Sequence, residues 1–267
     1  MTNELETAEP AALYEVNNHV AIITLNRPNV LNAVNRELSV AAGAALENAA
    51  HDPDVRVVVI TGAGRGFCAG ADLAEVAAGR NIYDKAHRDW DFAGIVRHWI
   101  PKPVIAAVNG FALGGGTEIV LSADLAVIDE TASLGLPEVR RGLMAAAGGV
   151  LRIQNQVPPK VAAEIALTGQ PISAARAYEL GLVNKIAPEG AAVETALELA
   201  ATIAANAPLA VRQSKTAMFE SSKAASGWSQ EAWDANLAAA RVVFASDDAK
   251  EGGRAFVAKR APVWAGR

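Results

Sequence analysis

The stretch Val108–Asp124, VNGFALGGGTEIVLSAD, decides the fold. The apolar residues Ile105–Val108 lead into it and predict a strand. Asn109-Gly110 predicts a tight turn. The triplet Gly114-Gly115-Gly116 then opens an amphipathic segment that carries one acid, Glu118. Strand, turn and helix in this order leave the helix N-terminus without a side-chain cap. Bare helix N-termini hold unpaired N–H groups and a partial positive charge. They suit a negative oxygen, either a phosphate or an enolate. Close helix packing alone accounts for the glycines equally well.

Working upstream, VRVVVIT (Val55–Thr61) is a β-branched run that predicts a buried strand. The glycine loop from Gly62 to Gly66 follows it. A dinucleotide fingerprint would pass straight into a helix, whereas this loop continues to Leu73. Asp72 is a candidate helix N-cap, which places the Ala71 N–H at a second bare terminus. Ala12–Asn26 alternates like a hairpin that turns at Asn17-Asn18, and Asn32–Asp52 has helical periodicity. Arg80–Trp99 mixes Tyr83, Trp90, Phe92 and Trp99 with charges. It fits a surface loop with an amphipathic helix, or a lid over a ligand.

Downstream, Leu125–Ile128 predicts another strand. Pro137 suits the first helical position, so Glu138 falls in a first turn, where an acid also serves the helix dipole. Helices are expected over Lys160–Thr168 and Ser173–Leu180, with Ser173 as a cap. From Ala191 onward four helical segments run almost to the end. The expected organisation is a disordered tail over residues 1–10, a mixed α/β core over 11–190, and a helical region over 191–267.

The whole chain narrows the function classes. Its 267 residues and net charge of −5 give no general pull toward nucleic acid or an anionic membrane, although a local basic patch remains compatible with them. The longest apolar runs stop well short of a membrane span. The acidic, polar start is unlike a secretory signal. A single cysteine, Cys68, suits a reducing, cytoplasmic setting and reads more naturally as a small buried residue than as a nucleophile. His19, His51, His87 and His98 show no metal-ligand spacing, so no metal is expected.

Three segments together resemble the crotonase superfamily, and within it the enoyl-CoA hydratases. They are ITGAGRGFCAGADL (Ile60–Leu73), IAAVNGFALGGGTEIVLSADL (Ile105–Leu125) and LGLPEVRRGLMAAAGG (Leu134–Gly149). The likeness runs in order from Asn26–Asn35 to the C-terminus. The last residues, DAKEGGRAFVAKRAPVWAGR, also resemble crotonobetainyl-CoA hydratases. The resemblance implies an α/β fold: a spiral core of strand–strand–helix turns with a C-terminal helical trimerisation region. Trimers of this kind commonly pair into hexamers.

The resemblance also implies a site. Ala71 and Gly115 would supply two N–H donors to a thioester oxygen, with Glu118 and Glu138 as the acid–base pair. The substrate would be an acyl-CoA, with coenzyme A part of the substrate and no separate cofactor. Arg65 and Lys259 would meet CoA phosphates. Arg27 is a further candidate, because Asn29 replaces the basic residue that often follows the Arg-Pro pair. Main-chain groups of Ala69 and Leu73 would line the adenine pocket, with Asp72 beside them. Leu136 stands where many hydratases carry Gln, and Met144-Ala145-Ala146 replaces a proline-containing stretch, so the acyl pocket should differ. Three other readings stay open: a double-bond isomerase, a crotonobetainyl-CoA hydratase with an aromatic cage from Trp90, Phe92 and Trp99, and a noncatalytic or RNA-binding relative.

Overall fold

A computed structural model describes residues 9–267. Of the tail expected over residues 1–10, residues 1–8 lie outside the described part. In chain order the strands are β1 (Ala12–Asn17), β2 (Val20–Leu25), β3 (Val57–Gly62), β4 (Gly66–Cys68), β5 (Val104–Val108), β6 (Phe111–Leu113), β7 (Leu125–Asp129), β8 (Ser133–Gly135), β9 (Ile172–Ser173) and β10 (Lys185–Ala187). The α-helices are α1 (Arg36–His51), α2 (Leu73–Ala77), α3 (Gly115–Ser122), α4 (Gly149–Gln156), α5 (Pro159–Thr168), α6 (Ala174–Glu179), α7 (Ala192–Ala204), α8 (Pro208–Ser221), α9 (Gln230–Ala245) and α10 (Asp247–Val257).

Two sheets organise these elements. The larger has the order β1-β2-β3-β5-β7-β10, and the smaller β4-β6-β8-β9. Long strands β3, β5 and β7 pair in parallel, and so do short strands β4, β6 and β8. Each coil of the chain therefore lays one long strand in the first sheet and one short strand in the second, and then a helical stretch carries the chain onward. Successive coils step one place along both sheets. This is the α/β spiral implied by the resemblance.

The continuous apolar runs follow from burial on both faces of the larger sheet. Val58, Ile60, Ala106, Val108 and Ile128 face one core with α1, whereas Val57, Val59, Ile105, Ala107 and Val127 face the other. α7 closes that second face with Ala192, Ala196, Ala200 and Ala204, all buried. The expected boundary at 190/191 thus precedes a helix that packs on the sheet. α9 and α10 leave large apolar side chains uncovered, among them Phe244, Phe256 and Val257.

Two expectations need correction. The helix expected from Asn32 begins at Arg36, capped by Asn35, whose side chain accepts from the Leu38 N–H. Asn32 is fully buried instead. Its amide donates to the carbonyls of Ala63 at 2.9 Å and Gly66 at 2.8 Å, while its Oδ1 accepts the Arg27 N–H at 2.9 Å. Helical pattern yields here to a polar group that binds the first glycine loop from below. The helix expected within Arg80–Trp99 is replaced by two 3-10 turns, Arg88–Trp90 and Phe92–Gly94. Positive φ at Asp91 and Ala93 stops any longer helix.

Asn32→Ala should strand several buried carbonyls and destabilise the fold by about 2–3 kcal/mol. Urea unfolding measures this, and an unchanged midpoint would refute the bridging role.

Candidate active site

The site starts from a close approach between two loops. A Cβ on Gly116 would stand 2.2 Å from the Cys68 carbonyl oxygen, and one on Gly70 would stand 3.2 Å from the Gly115 nitrogen. Only glycine lets the loop after β4 rest against the start of α3. Both loops are then held by hydrogen bonds. Gly114 N–H donates to the Gly135 carbonyl at 2.8 Å, and Thr117 Oγ1 accepts the Gly135 N–H at 2.9 Å. In the other loop, Val34 N–H donates to the Gly70 carbonyl at 2.8 Å and Asp72 N–H to the Val34 carbonyl at 3.0 Å.

These bonds engage the N–H groups of Asp72 and Gly114, next to Ala71 and Gly115, whose own N–H groups have no acceptor among the described residues. Gly115 is the first residue of α3, where an N–H has no intrahelical partner. Both donors therefore belong to loops in contact. The buried Cys68 beneath them is chemically quiet, because burial pushes its thiol up to about 12.

Glu118 and Glu138 come from different coils, near enough for the charge of Glu138 to act on Glu118. Glu118 lies one turn into α3 and is 3% exposed. Its Oε1 accepts the Gly149 N–H, the first of α4, at 2.8 Å. Burial raises its pKa to about 7, and the charge of Glu138 pushes the same way. The N–H groups of Gly149 and Ala147 and the Arg152 cation oppose the shift. Glu138 follows Pro137 in a 3-10 turn, Pro137–Arg141. A Cβ on Gly114 would stand 3.0 Å from its Oε1, and its Oε2 is buried with no partner among the described residues. Burial also holds this carboxyl above its usual range, against the pull of its own N–H and of Arg141.

Aromatic residues roof the site. A Cβ on Gly115 would stand 2.3 Å from the Phe92 ring, so that ring lies directly over the α3 N-terminus. Tyr83 is close enough to feel Glu118. Burial first, then the charges of Asp91 and Glu118, raise the pKa of its phenol. The expected cage of Trp90, Phe92 and Trp99 does not assemble. Trp90 is sandwiched between His87 at 3.8 Å and His98 at 4.0 Å, so both its faces are taken. Trp99 leans on Phe219 at 5.0 Å, with the Lys215 ammonium 5.7 Å from its ring.

The candidate CoA contacts divide. Arg27 and Asp72 pair with each other at 3.0 Å, Arg27 also donates to the Ala33 carbonyl, and Asp72 caps α2 by accepting from Ala74 and Glu75. Arg65 and Lys259 are exposed on separate segments, and neither forms an ion pair among the described residues. Ala69 N–H is taken by the Leu31 carbonyl at 3.0 Å, and Leu73 is exposed at the start of α2. A cavity of about 950 Å³, lined by Trp99, Val104, Leu125, Lys215 and Phe219, lies against α8 at the far end of β5 and β7, and neither Glu118 nor Glu138 lines it.

Sequence reasoning missed three partners of the site: the Gly149 N–H on Glu118, the Phe92 ring over Gly115, and Arg152. Gly148-Gly149 before a helical segment repeats the glycine-then-helix signal that marked Gly115, and it could have pointed to a second helix N-terminus.

Two backbone donors without acceptors among the described residues, in touching loops and with the buried Glu118 and half-buried Glu138 nearby, form an arrangement able to stabilise an oxyanion while moving a proton. Comparisons with known proteins show the family. The family model described as enoyl-CoA hydratase/isomerase matches residues 15–267, and the chain belongs to that family. An enoyl-CoA hydratase of Mycobacterium tuberculosis is 38% identical over 262 residues, 97% of each chain. A carnitinyl-CoA dehydratase of Salmonella typhi is 40% identical over 258 residues, 94% of this chain and 97% of that one. Among solved structures, an enoyl-CoA hydratase from Mycobacterium tuberculosis superposes with a TM-score of 0.91 at 42% identity, covering 97% of this chain and 100% of the other. A carnitinyl-CoA dehydratase from Mycobacterium avium gives 0.78 at 51% identity over 97% and 100%.

Because the folded chain holds the Glu118 proton up to about pH 7, it binds that proton more tightly than the unfolded chain does. Stability attributable to this group is therefore present at low pH and lost as pH rises from the ordinary carboxylate range through about 7. Glu118→Gln should gain on the wild type by up to about 3 kcal/mol between roughly pH 4 and pH 8. Urea unfolding at both pH values reads the difference, and a gap that does not widen would contradict the assignment.

Proposed function

We propose that the protein adds water across the 2,3 double bond of an enoyl-CoA thioester. The observation that carries this reading is a buried carboxyl, Glu118, close enough to interact with a half-buried one, Glu138, which lies against Gly114 beside the unbonded Gly115 N–H. An isomerisation needs one proton carrier, whereas hydration needs two functions: one group to take a proton from water and one to deliver a proton to Cα.

The Ala71 and Gly115 N–H groups hold the thioester oxygen. Charge builds on that oxygen as water attacks Cβ, so both donors bind the transition state more tightly than the ground state. Glu118, with a pKa of about 7, accepts a proton from water near neutral pH. Glu138, whose Oε2 has no partner among the described residues, supplies the proton to Cα. Phe92 and the buried Leu136 keep bulk water from the enolate.

Arg65 and Lys259 are assigned to CoA phosphates because they are exposed cations without ion-pair partners among the described residues. Arg27 serves as an internal brace for Asp72 and the first loop. The uncovered apolar residues of α9 and α10 support self-association, with a homotrimer or a dimer of trimers as the assembly.

One observation favours a second reading within the family: the 51% identity to the structure named as a carnitinyl-CoA dehydratase. Against it, the faces of Trp90 are closed to a quaternary ammonium group. Turnover should therefore be faster with crotonyl-CoA than with crotonobetainyl-CoA, and a preference for the latter would favour the second reading.

Glu118→Gln and Glu138→Gln should each lower kcat for crotonyl-CoA hydration by about 10²–10⁴-fold, with smaller effects on KM. Wild-type turnover in either variant would remove that carboxyl from the mechanism. Arg65→Ala should raise KM and spare kcat, as expected for a contact made equally in ground and transition states.

A further inference from the structure

Arg152 stands where two walls of the site meet. It lies in the first turn of α4, the helix whose first N–H binds Glu118. Its Nη1 donates to the Ala147 carbonyl at 3.3 Å and its Nη2 to the Val96 carbonyl. Ala147 belongs to the turn that presents Gly149 to Glu118. Val96 belongs to the segment that carries the roof: Val96 N–H donates to the Phe92 carbonyl at 3.2 Å, and Arg97 N–H to the Trp90 carbonyl at 3.1 Å. Arg152 is half-buried and makes no ion pair among the described residues. A planar fork that reaches carbonyls on two segments fixes their separation in a way a single ammonium does not.

We propose that Arg152 is a positioning residue for the reaction, a clamp between the turn that holds Glu118 and the segment that holds Phe92 over Gly115. The inference rests on the hydratase reading given above. The clamp also carries charge toward Glu118. The groups facing Glu118 are Glu138 from the Pro137–Arg141 turn, Tyr83 from the roof, Arg152 from α4, and the N–H groups of Ala147 and Gly149. Arg152 is the cation among them, and Asp91 and Arg97 act on it from the roof side. Loss of this cation leaves Glu118 harder to ionise. Arg152→Lys keeps the charge but breaks the fork.

The test uses the purified full chain, with crotonyl-CoA hydration followed from roughly pH 5 to pH 9. Arg152→Gln should lower kcat at least about ten-fold, change KM less than about three-fold, and move the acid limb of kcat/KM upward. Arg152→Lys should lose kcat while keeping the wild-type limb. Infrared titration of the Glu118 carboxyl band, assigned by its loss in Glu118→Gln, reads the same link without turnover. If the wild type hydrates no enoyl-CoA but the band still titrates higher in Arg152→Gln, the hydratase reading fails and the link to Glu118 stands. The proposal is overturned if folded Arg152→Gln keeps wild-type kcat. It is equally overturned if limb and band stay where the wild type has them, because a brace without influence on Glu118 would behave that way. Should Arg152→Gln not fold by circular dichroism, Arg152→Lys decides: wild-type kcat there overturns the clamp.

Discussion

Contact between two backbones governs this molecule. Gly116 lies against the Cys68 carbonyl and Gly70 against Leu113 and Gly115, closer than any side chain would permit. A single methyl group at either position would separate the loops and with them the Ala71 and Gly115 N–H groups. Hydrogen bonds from Gly114, Gly135, Val34 and Asp72 then hold the loops on both sides. Oriented backbone donors of this kind need no reorganisation when charge develops, which is why they stabilise it effectively.

The acids depend on the same geometry. Glu118 could not sit fully buried as a charge without the α4 N-terminus facing it, and even so burial outweighs the N–H groups and Arg152. The result is a carboxyl near its midpoint at neutral pH, the condition in which one group can both take up and release a proton. Burial likewise holds Glu138 above the usual carboxylate range, with its Oε2 unpartnered among the described residues. The Phe92 ring packs against Gly115 beside these acids, while the stacked His87, Trp90 and His98 hold one another.

Local physics was legible in the sequence. The caps at Asp72 and Ser173 act within three residues of themselves, and each forms as its residue type suggests. The bare start of α3 followed from the glycine triplet. Strands β4, β6 and β8 are three residues long, too short for any periodicity to register. Asn32 looked helical because its contacts, to Ala63 and Gly66, come from another coil. The hydrogen bond from Gly149 to Glu118 and the sandwich around Trp90 are likewise tertiary. Only the Gly148-Gly149 pair hints at the first, nothing in composition or spacing marks the second, and the ring stacking overturned the idea of a cage built from the same aromatics.

The spiral has a consequence for how the protein comes to life. Ala71 belongs to one coil and Gly115 to the next, whereas Glu138 and Gly149 belong to the third. No coil contains a usable fragment of the chemistry, and contacts between coils must close large chain loops before they reward the chain. If these groups act together as proposed, a half-wound chain lacks part of the site, and turnover waits until all three coils are in place.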